Sequence, residues 1–113
     1  MSVEDPSVVD AIGTDSKLGL IHLTIADHLP WDGAHLVKLQ AKLNTYLAFV
    51  ESGEVYSSYP AAVGRTITID AVLKYRPTLQ ASDFFAKAAS ILKQAGVSLT
   101  YGPGVNGYAS DDA

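Results

Sequence analysis

Hydrophobic residues between positions 32 and 53 recur at steps of three and four, which is the spacing of one helical face. The pattern predicts an amphipathic helix, with Asp32 as its N-cap and Gly53 in the left-handed conformation that often follows a helix. Lys42 and the other polar residues of this segment are expected to face solvent. Burying the aliphatic stripe would contribute about 7–15 kcal/mol before chain entropy is subtracted, so other elements have to cover it. The stripe comprises Leu36, Leu39, Leu43, Leu47 and Val50, with Tyr46 on the same side.

A second stripe with helical spacing follows Pro77. Thr78 is the predicted N-cap of this helix, which is expected to run to about Ala95 and to end at Gly96. The apolar side of the predicted helix consists of Phe84, Phe85, Ala88, Ile91, Leu92 and Ala95.

Alternation of apolar and polar residues predicts four strands. It is clearest in Leu20–Ala26 and in Thr66–Arg76, where one side should face the core and the other should be mostly polar. A first strand is predicted around Val8–Ile12 and should form a hairpin with the second. A short last strand is predicted at Val97–Tyr101. Residues 54–65 are expected to form an ordered connection whose aromatic residues pack back onto the domain, and this segment is compatible with a short helical turn.

The predicted order of elements is β-β-α-β-α-β. Two amphipathic helices and strands with a single apolar side indicate the α+β class, as a two-layer sandwich. We expect a mostly antiparallel or mixed four-stranded sheet with both helices packed on one face. Residues 1–101 should form a single domain, followed by a flexible Gly-rich acidic tail at residues 102–113. The other sheet face would carry polar residues such as Asp70.

Composition narrows the function classes. The chain has 113 residues, 48% of them hydrophobic, and no cysteine, which excludes disulfides and thiolate chemistry. Its net charge is −4 and its eight basic residues are scattered, which argues against a nucleic-acid partner. The acidic start lacks the features of a signal peptide, and no apolar run approaches the roughly 20 residues of a membrane span. We therefore expect a cytoplasmic protein without membrane contacts.

Four segments resemble a family of small bacterial proteins catalogued only as a domain of unknown function. They are SVEDPSVVDAIGTD, LTIADHLPW, KLNTYLAFVESGEVYSSYP and VLKYRPTLQASDFF. The resemblance runs from about Ser2 to Tyr101 and leaves the tail outside. It implies a compact bacterial cytoplasmic domain, and it brings no activity or catalytic residue with it.

The densest group of ionisable residues is His22, Asp27, His28, Asp32 and His35. Imidazole and carboxylate are suitable metal ligands and a suitable acid–base pair. The spacing fits no known ligand frame, however, so we expect no metal and no cofactor. Asp27 is interpreted as a turn residue and Asp32 as a helix cap. The side chain of His22 should point to the polar face of its strand.

Four aromatic residues lie where they either cover the core or contact a partner. Trp31 precedes the first helix, while Tyr56 and Tyr59 follow it. Phe49 falls outside the main stripe of the helix, so its exposure would mark a patch for a partner or for a second copy. These four residues are the predicted partner-binding set.

The favoured interpretation is a noncatalytic protein-interaction module that binds a protein partner or self-associates, with a homodimer or an immunity- or adaptor-like role among the options. An enzyme is less favoured. The alternative is a small-molecule-binding protein or enzyme with a site near the strand–helix corner, residues 27–35. That site would gather His22, Asp27, His28 and His35. Convergence of His28 and His35 on one cleft would favour the alternative.

Overall fold

The computed structural model describes residues 11–15, 17–104 and 107–109. The elements follow the order β-β-α-α-β-α-β, with one short helix more than predicted, in the connection at residues 54–65. The strands are β1 (Ala11–Asp15), β2 (Leu20–Asp27), β3 (Thr66–Leu73) and β4 (Val97–Pro103). The helices are α1 (His35–Glu51), α2 (Glu54–Ser58) and α3 (Leu79–Gln94), and a 3-10 turn spans Pro60–Ala62. Val8 and Val9 of the predicted first strand lie outside the described residues.

The sheet is mixed and four-stranded, in the order β1-β2-β3-β4. The β1–β2 pair is an antiparallel hairpin, whereas β2–β3 and β3–β4 are parallel. Leu23 pairs with Ile12 on one side and with Ile69 on the other, and Ile69 pairs with Leu99. These four residues therefore lie in one row on one sheet face. The α+β class and the mixed sheet are confirmed.

The core lies between that face and the two long helices. Leu39, Leu43 and Tyr46 of α1 and Phe85 and Leu92 of α3 form one buried cluster with the sheet residues. The hydroxyl of Tyr46 also donates a 2.5 Å hydrogen bond to the carbonyl oxygen of Thr24. The sheet residues of the cluster are Ile21, Leu23, Ile25, Ile67, Ile69, Ala71, Leu73 and Val97.

Three of the four predicted helix ends are present, whereas the N-cap of α1 is Ala34 rather than Asp32. Gly53 and Gly96 have φ values of 81° and 79°, the left-handed conformation that glycine adopts without strain. The Thr78 side chain accepts the backbone N–H of Ala81 at 3.1 Å. The helix α1 begins at His35, three residues after the predicted cap. Even so, the carboxylate of Asp32 accepts the backbone N–H of His35 at 3.1 Å, so Asp32 still satisfies a free donor of the first turn.

Several details differ from the expectations. Lys42 is fully buried rather than solvated, because it lies on the helix side of Leu39 and Tyr46 and its methylene stem can pack there. Ile91, predicted on the apolar side of α3, is 59% exposed. The strand β3 ends at Leu73 rather than at Arg76, because its neighbour β2 ends at the residue paired with Leu73.

The last strand extends past the boundary expected at residue 101. It runs to Pro103, and Gly104 forms an isolated antiparallel bridge with Gly107. Tyr108 then packs against the core cluster, and the N–H of Ala109 donates to the carbonyl oxygen of Lys74 at 2.8 Å. Within the described residues, no helix is both long and apolar enough to cross a bilayer.

Candidate functional site

The corner between β2 and α1 brings Asp27 and His35 together. His35 Nε2 lies 2.5 Å from Asp27 Oδ2, and its Nδ1 lies 2.9 Å from the carbonyl oxygen of Pro30. The carbonyl oxygen of Pro30 can only accept, so His35 Nδ1 carries a hydrogen. The hydrogen bond between His35 Nε2 and Asp27 Oδ2 contains one further proton. The pair is therefore net neutral wherever that proton resides. The two side chains are 1% and 0% exposed, so the pair is closed to solvent.

Trp31 covers this pair. Its ring stacks on the His35 imidazole, with 3.9 Å between the centroids and 13° between the planes. Its indole N–H donates to the carbonyl oxygen of Tyr75 at 3.1 Å, and its edge meets Phe85. The arrangement fixes the side chain of Trp31 against the core, as expected of a lid.

His28 and His35 do not share an open cleft. His28 is exposed, whereas His35 is buried in the core. The feature that would have favoured an acid–base site at this corner is therefore missing. Asp27 also has its predicted turn role, because its Oδ1 accepts the backbone N–H of Leu29 at 3.2 Å.

A second constellation lies on the opposite face of the sheet, on which no described helix packs. His22 Nδ1 is 2.5 Å from Asp70 Oδ2, and the hydroxyl of Thr100 donates to Asp70 Oδ1 at 2.5 Å. Because Asp70 accepts at both oxygens, its carboxylate is fixed in orientation and in turn orients the imidazole. The His22 and Asp70 side chains are 33% and 27% exposed, so this histidine is accessible from solvent.

Asp15 completes this set. Its Oδ2 lies 3.9 Å from His22 Nε2, while its Oδ1 accepts the backbone N–H groups of Lys17 and Leu18 at 3.0 and 3.2 Å. The hairpin turn thus points one carboxylate oxygen at the free side of the imidazole. We call Asp15, His22, Asp70 and Thr100 the sheet-face site. It combines two carboxylates with one imidazole at a solvent-accessible surface.

A model of the family of unknown function DUF6572 matches residues 1–104. The chain belongs to this family. No curated protein and no solved structure matches the chain. The family description assigns no activity, so function has to be argued from the geometry of this DUF6572 chain.

The sequence pattern placed His22 on the polar face of its strand, and the structure adds neighbours that it did not reveal. Asp70 is predicted on the same polar face as His22, but the sequence pattern does not indicate that Asp70, Asp15 and Thr100 surround this histidine. The parallel register decides this, because it sets Thr24 beside Asp70 and Asp70 beside Thr100 on the same face. Only a prediction of strand order could have found this DUF6572 site in the sequence.

The predicted partner-binding aromatics have different surroundings. Phe49 and Tyr59 are partly buried against the core cluster, and the Tyr59 hydroxyl is 2.7 Å from Thr14 Oγ1. Trp31 stacks on His35 and donates a hydrogen bond to the carbonyl oxygen of Tyr75. Tyr56 is 38% exposed and is the most accessible of the four. Their role in partner binding stays a prediction for this DUF6572 chain.

A shallow apolar groove of about 130 Å³ lies between α1 and α3. Leu47, Phe84 and Ile91 are among its lining residues, and Lys87 lies among its polar ones. In the ranges that the structure describes, no three His, Asp or Glu side chains are placed to hold a metal ion together. Among the described residues, the sheet-face site does bring two carboxylates and an imidazole together at an accessible surface.

Proposed function

We propose that this chain is a noncatalytic protein-interaction module whose sheet-face site binds a basic side chain of a protein partner. The supporting observation is the pair formed by Asp15 Oδ2 and His22 Nε2, which face each other across 3.9 Å at the surface. The other polar atoms of these side chains, Asp15 Oδ1 and His22 Nδ1, already make the hydrogen bonds described above. A lysine or arginine side chain can donate to Asp15 from solvent without breaking any of these contacts.

Charge supports a basic partner. The site contains two carboxylates against one imidazole, and the whole chain has a net charge of −4. A surface of this sign attracts a basic patch and repels an acidic one, which sets the choice of partner and the rate of encounter. The wide spacing of the eight basic residues along the chain leaves nucleic acid outside the proposal.

The same sheet face offers apolar area beside the polar site. Ala26 and Val72 are paired in register two residues beyond Thr24 and Asp70, both are exposed, and Val72 is 38% exposed. An exposed ion pair contributes only about 0.2–1 kcal/mol, so affinity has to come mainly from such apolar contacts. The polar site then selects the partner, and the apolar area stabilises the complex.

The test compares three versions of the chain as immobilised bait in an extract of the source organism. Asp15→Asn removes the charge at the site, and its amide oxygen can still accept the turn hydrogen bonds. Glu51→Gln removes the same charge from an exposed position at the end of α1 and serves as the matched control. We expect the native chain and the Glu51→Gln variant to retain a protein that the Asp15→Asn variant does not retain.

Retention of the same proteins by all three versions would show that the sheet-face site is not the recognition surface. If the native chain retains no protein beyond those that a blank support retains, the proposed interaction function itself is overturned. A purified partner should then bind more weakly as salt is raised, because exposed charges are screened over roughly 10 Å at 0.1 M salt. Binding that ignores salt would contradict recognition of a basic group.

A second candidate is a small-molecule site in which His22 acts as acid or base. It is favoured by the same hydrogen bond from His22 to Asp70, which leaves Nε2 accessible and oriented. His22→Gln should then abolish turnover of a substrate that the native chain converts. Absence of any turnover by native chain across a panel of hydrolysable small molecules excludes this candidate for the classes in the panel.

A further inference from the structure

We propose that two copies of the chain pair through the free edge of β4, in antiparallel orientation about a twofold axis at Thr100, to form one continuous eight-stranded sheet. Each copy contributes four strands. The proposal concerns the sheet edge and is independent of which partner the sheet-face site binds.

The first observation is that, among the residues the structure describes, nothing pairs with the outer side of β4. The strand pairs with β3 along its length and is last in the strand order, and no other described strand or loop donates backbone hydrogen bonds to it. After Gly104 the described chain turns back, and Ala109 bonds to Lys74 rather than to β4. The outer N–H and C=O groups of β4 therefore form a template for another strand.

The second observation is that β4 lacks the features that usually protect an edge. It is seven residues long, which exceeds the usual five to six, and it contains no charged residue. Its proline is its last residue, Pro103, where it interrupts nothing. The described part of the opposite edge strand, β1, covers five residues and ends in the charged Asp15. Of the two edges, β4 is the better template.

The third observation identifies a second copy as the occupant. In the strand sequence VSLTYGP, residues at equal distances before and after Thr100 resemble each other in size and polarity. Pairing about that residue places Leu99 opposite Tyr101 of the second copy, on the face that carries the core. It places Ser98 opposite Gly102 on the other face, and Thr100 opposite itself. A Thr–Thr cross-strand pair contributes about 0.2–1 kcal/mol, and the Leu99–Tyr101 pairs bury apolar surface in addition.

Tyr101 is prepared for this contact. Its ring is 42% exposed and stacks on Phe85, with 4.3 Å between centroids and 12° between planes. Leu99 beside it is partly buried against the core. Because the stack already restricts the tyrosine ring, pairing buries exposed aromatic surface at a reduced entropic cost. The contact thereby accounts for the exposure of an aromatic residue on this edge strand.

The decisive experiment uses single cysteines, since the chain has none of its own. In the proposed register the two Thr100 Cα atoms lie about 4.5–5.5 Å apart, which is within reach of a disulfide. The two Ser98 Cα atoms are four residues out of register, about 14 Å apart, which is beyond that reach. Thr100→Cys should form a disulfide-linked dimer on mild oxidation at least about tenfold faster than Ser98→Cys.

Equal rates of cross-linking for the two cysteine variants would indicate random collision and overturn the proposal. A faster reaction of Ser98→Cys would overturn the register. In light-scattering chromatography the native chain should elute as a dimer, with twice the 12.0 kDa mass of one copy. A monomer at all concentrations up to about 1 mM would overturn the proposal.

A second pair of variants separates this edge from the helix layer. Tyr101→Lys adds a charge to the β4 edge, a substitution of the kind by which natural edge strands avoid pairing. Ile91→Lys adds the same charge to the exposed groove between α1 and α3. We expect the first variant to be monomeric and the second to remain dimeric, both with a native circular dichroism spectrum. The reverse result would place the dimer contact on the helices instead.

Discussion

His22 Nδ1 lies 2.5 Å from Asp70 Oδ2, although the two residues are 48 positions apart in the chain. The parallel pairing of β2 with β3 creates this contact, since His22 pairs with Thr68 and Asp70 pairs with Thr24 on the same face. A slip of one residue in the register would move His22 to the core side. The hydrogen bond therefore depends on the correct pairing of two strands that are distant in sequence.

This geometry predicts the tautomer of His22. A carboxylate accepts and does not donate, so the Nδ1 of the neutral ring should carry the hydrogen that faces Asp70. Long-range ¹H–¹⁵N NMR correlation should show the Nδ1–H form in the native chain and a reduced share of it in Asp70→Ala. Thr100→Val keeps the carboxylate and should keep the preference. A dominant Nε2–H form in the native chain would contradict the assigned hydrogen bond.

The Asp27–His35 pair predicts a large effect on stability. Asp27→Ala leaves the Nε2 of His35 without its partner inside the core, and loss of one member of a buried pair typically costs about 3–5 kcal/mol. Urea denaturation should show a loss of this order in the free energy of unfolding. Asp83→Ala makes the same substitution at an exposed position of α3 and should cost less than about 1 kcal/mol. Similar losses for the two variants would argue against a structural role of the buried pair.

The indole N–H of Trp31 should contribute separately from the ring. Trp31→Phe retains an aromatic ring above His35 but removes the 3.1 Å hydrogen bond to the carbonyl oxygen of Tyr75. We expect a loss of about 0.5–1.5 kcal/mol in the free energy of unfolding. Tyr56→Phe, which removes a hydroxyl from an exposed ring, should leave stability nearly unchanged. An unaltered Trp31→Phe variant would show that the hydrogen bond contributes nothing net.

Two glycines form a matched test of backbone strain. Gly96 has a φ of 79° after α3, and a Cβ added there meets no atom within 4 Å, so any cost of Gly96→Ala comes from the backbone alone. That cost should be about 1–2 kcal/mol. Gly33 also has open space for a Cβ, but its φ lies outside the left-handed range. Gly33→Ala should be neutral or stabilise by up to about 1 kcal/mol, because it restricts the unfolded chain. Equal effects in thermal unfolding would refute the strain argument.

Local chemistry made much of the fold predictable. The positions of Gly53, Gly96 and Thr78 follow from the conformations that helix ends require, and each has the predicted role. The burial of Ile21 and Leu23 follows from the two-residue period of a strand. Such signals depend only on near neighbours in the chain, so the sequence alone reveals them.

The candidate sites were harder to predict because they depend on neighbours across the sheet. Closeness in sequence grouped His22 with Asp27 and His35, yet His22 lies on the sheet face opposite the core, and the other two residues lie in the core. Strand period explains the separation of His22 from Asp27, because residues five positions apart point to opposite faces. The periodicity of a strand shows on which face a residue lies, but not which strand lies beside it. The contacts of Asp70 with His22 and Thr100 could therefore not be predicted from the sequence.

The parallel pairing of β2 with β3 also has a consequence for the order of folding. The β1–β2 hairpin closes through a short turn, whereas residues 28–65, including α1, separate β2 from β3. Closing the longer loop costs more chain entropy, so we expect the hairpin to form first and the parallel pairs to follow once α1 has docked. Pulse-labelled hydrogen exchange should protect the amides of β2 that face β1 before those of β3 and β4. The sheet-face site would then assemble only in the last stage of folding, so that partly folded chains would not display it.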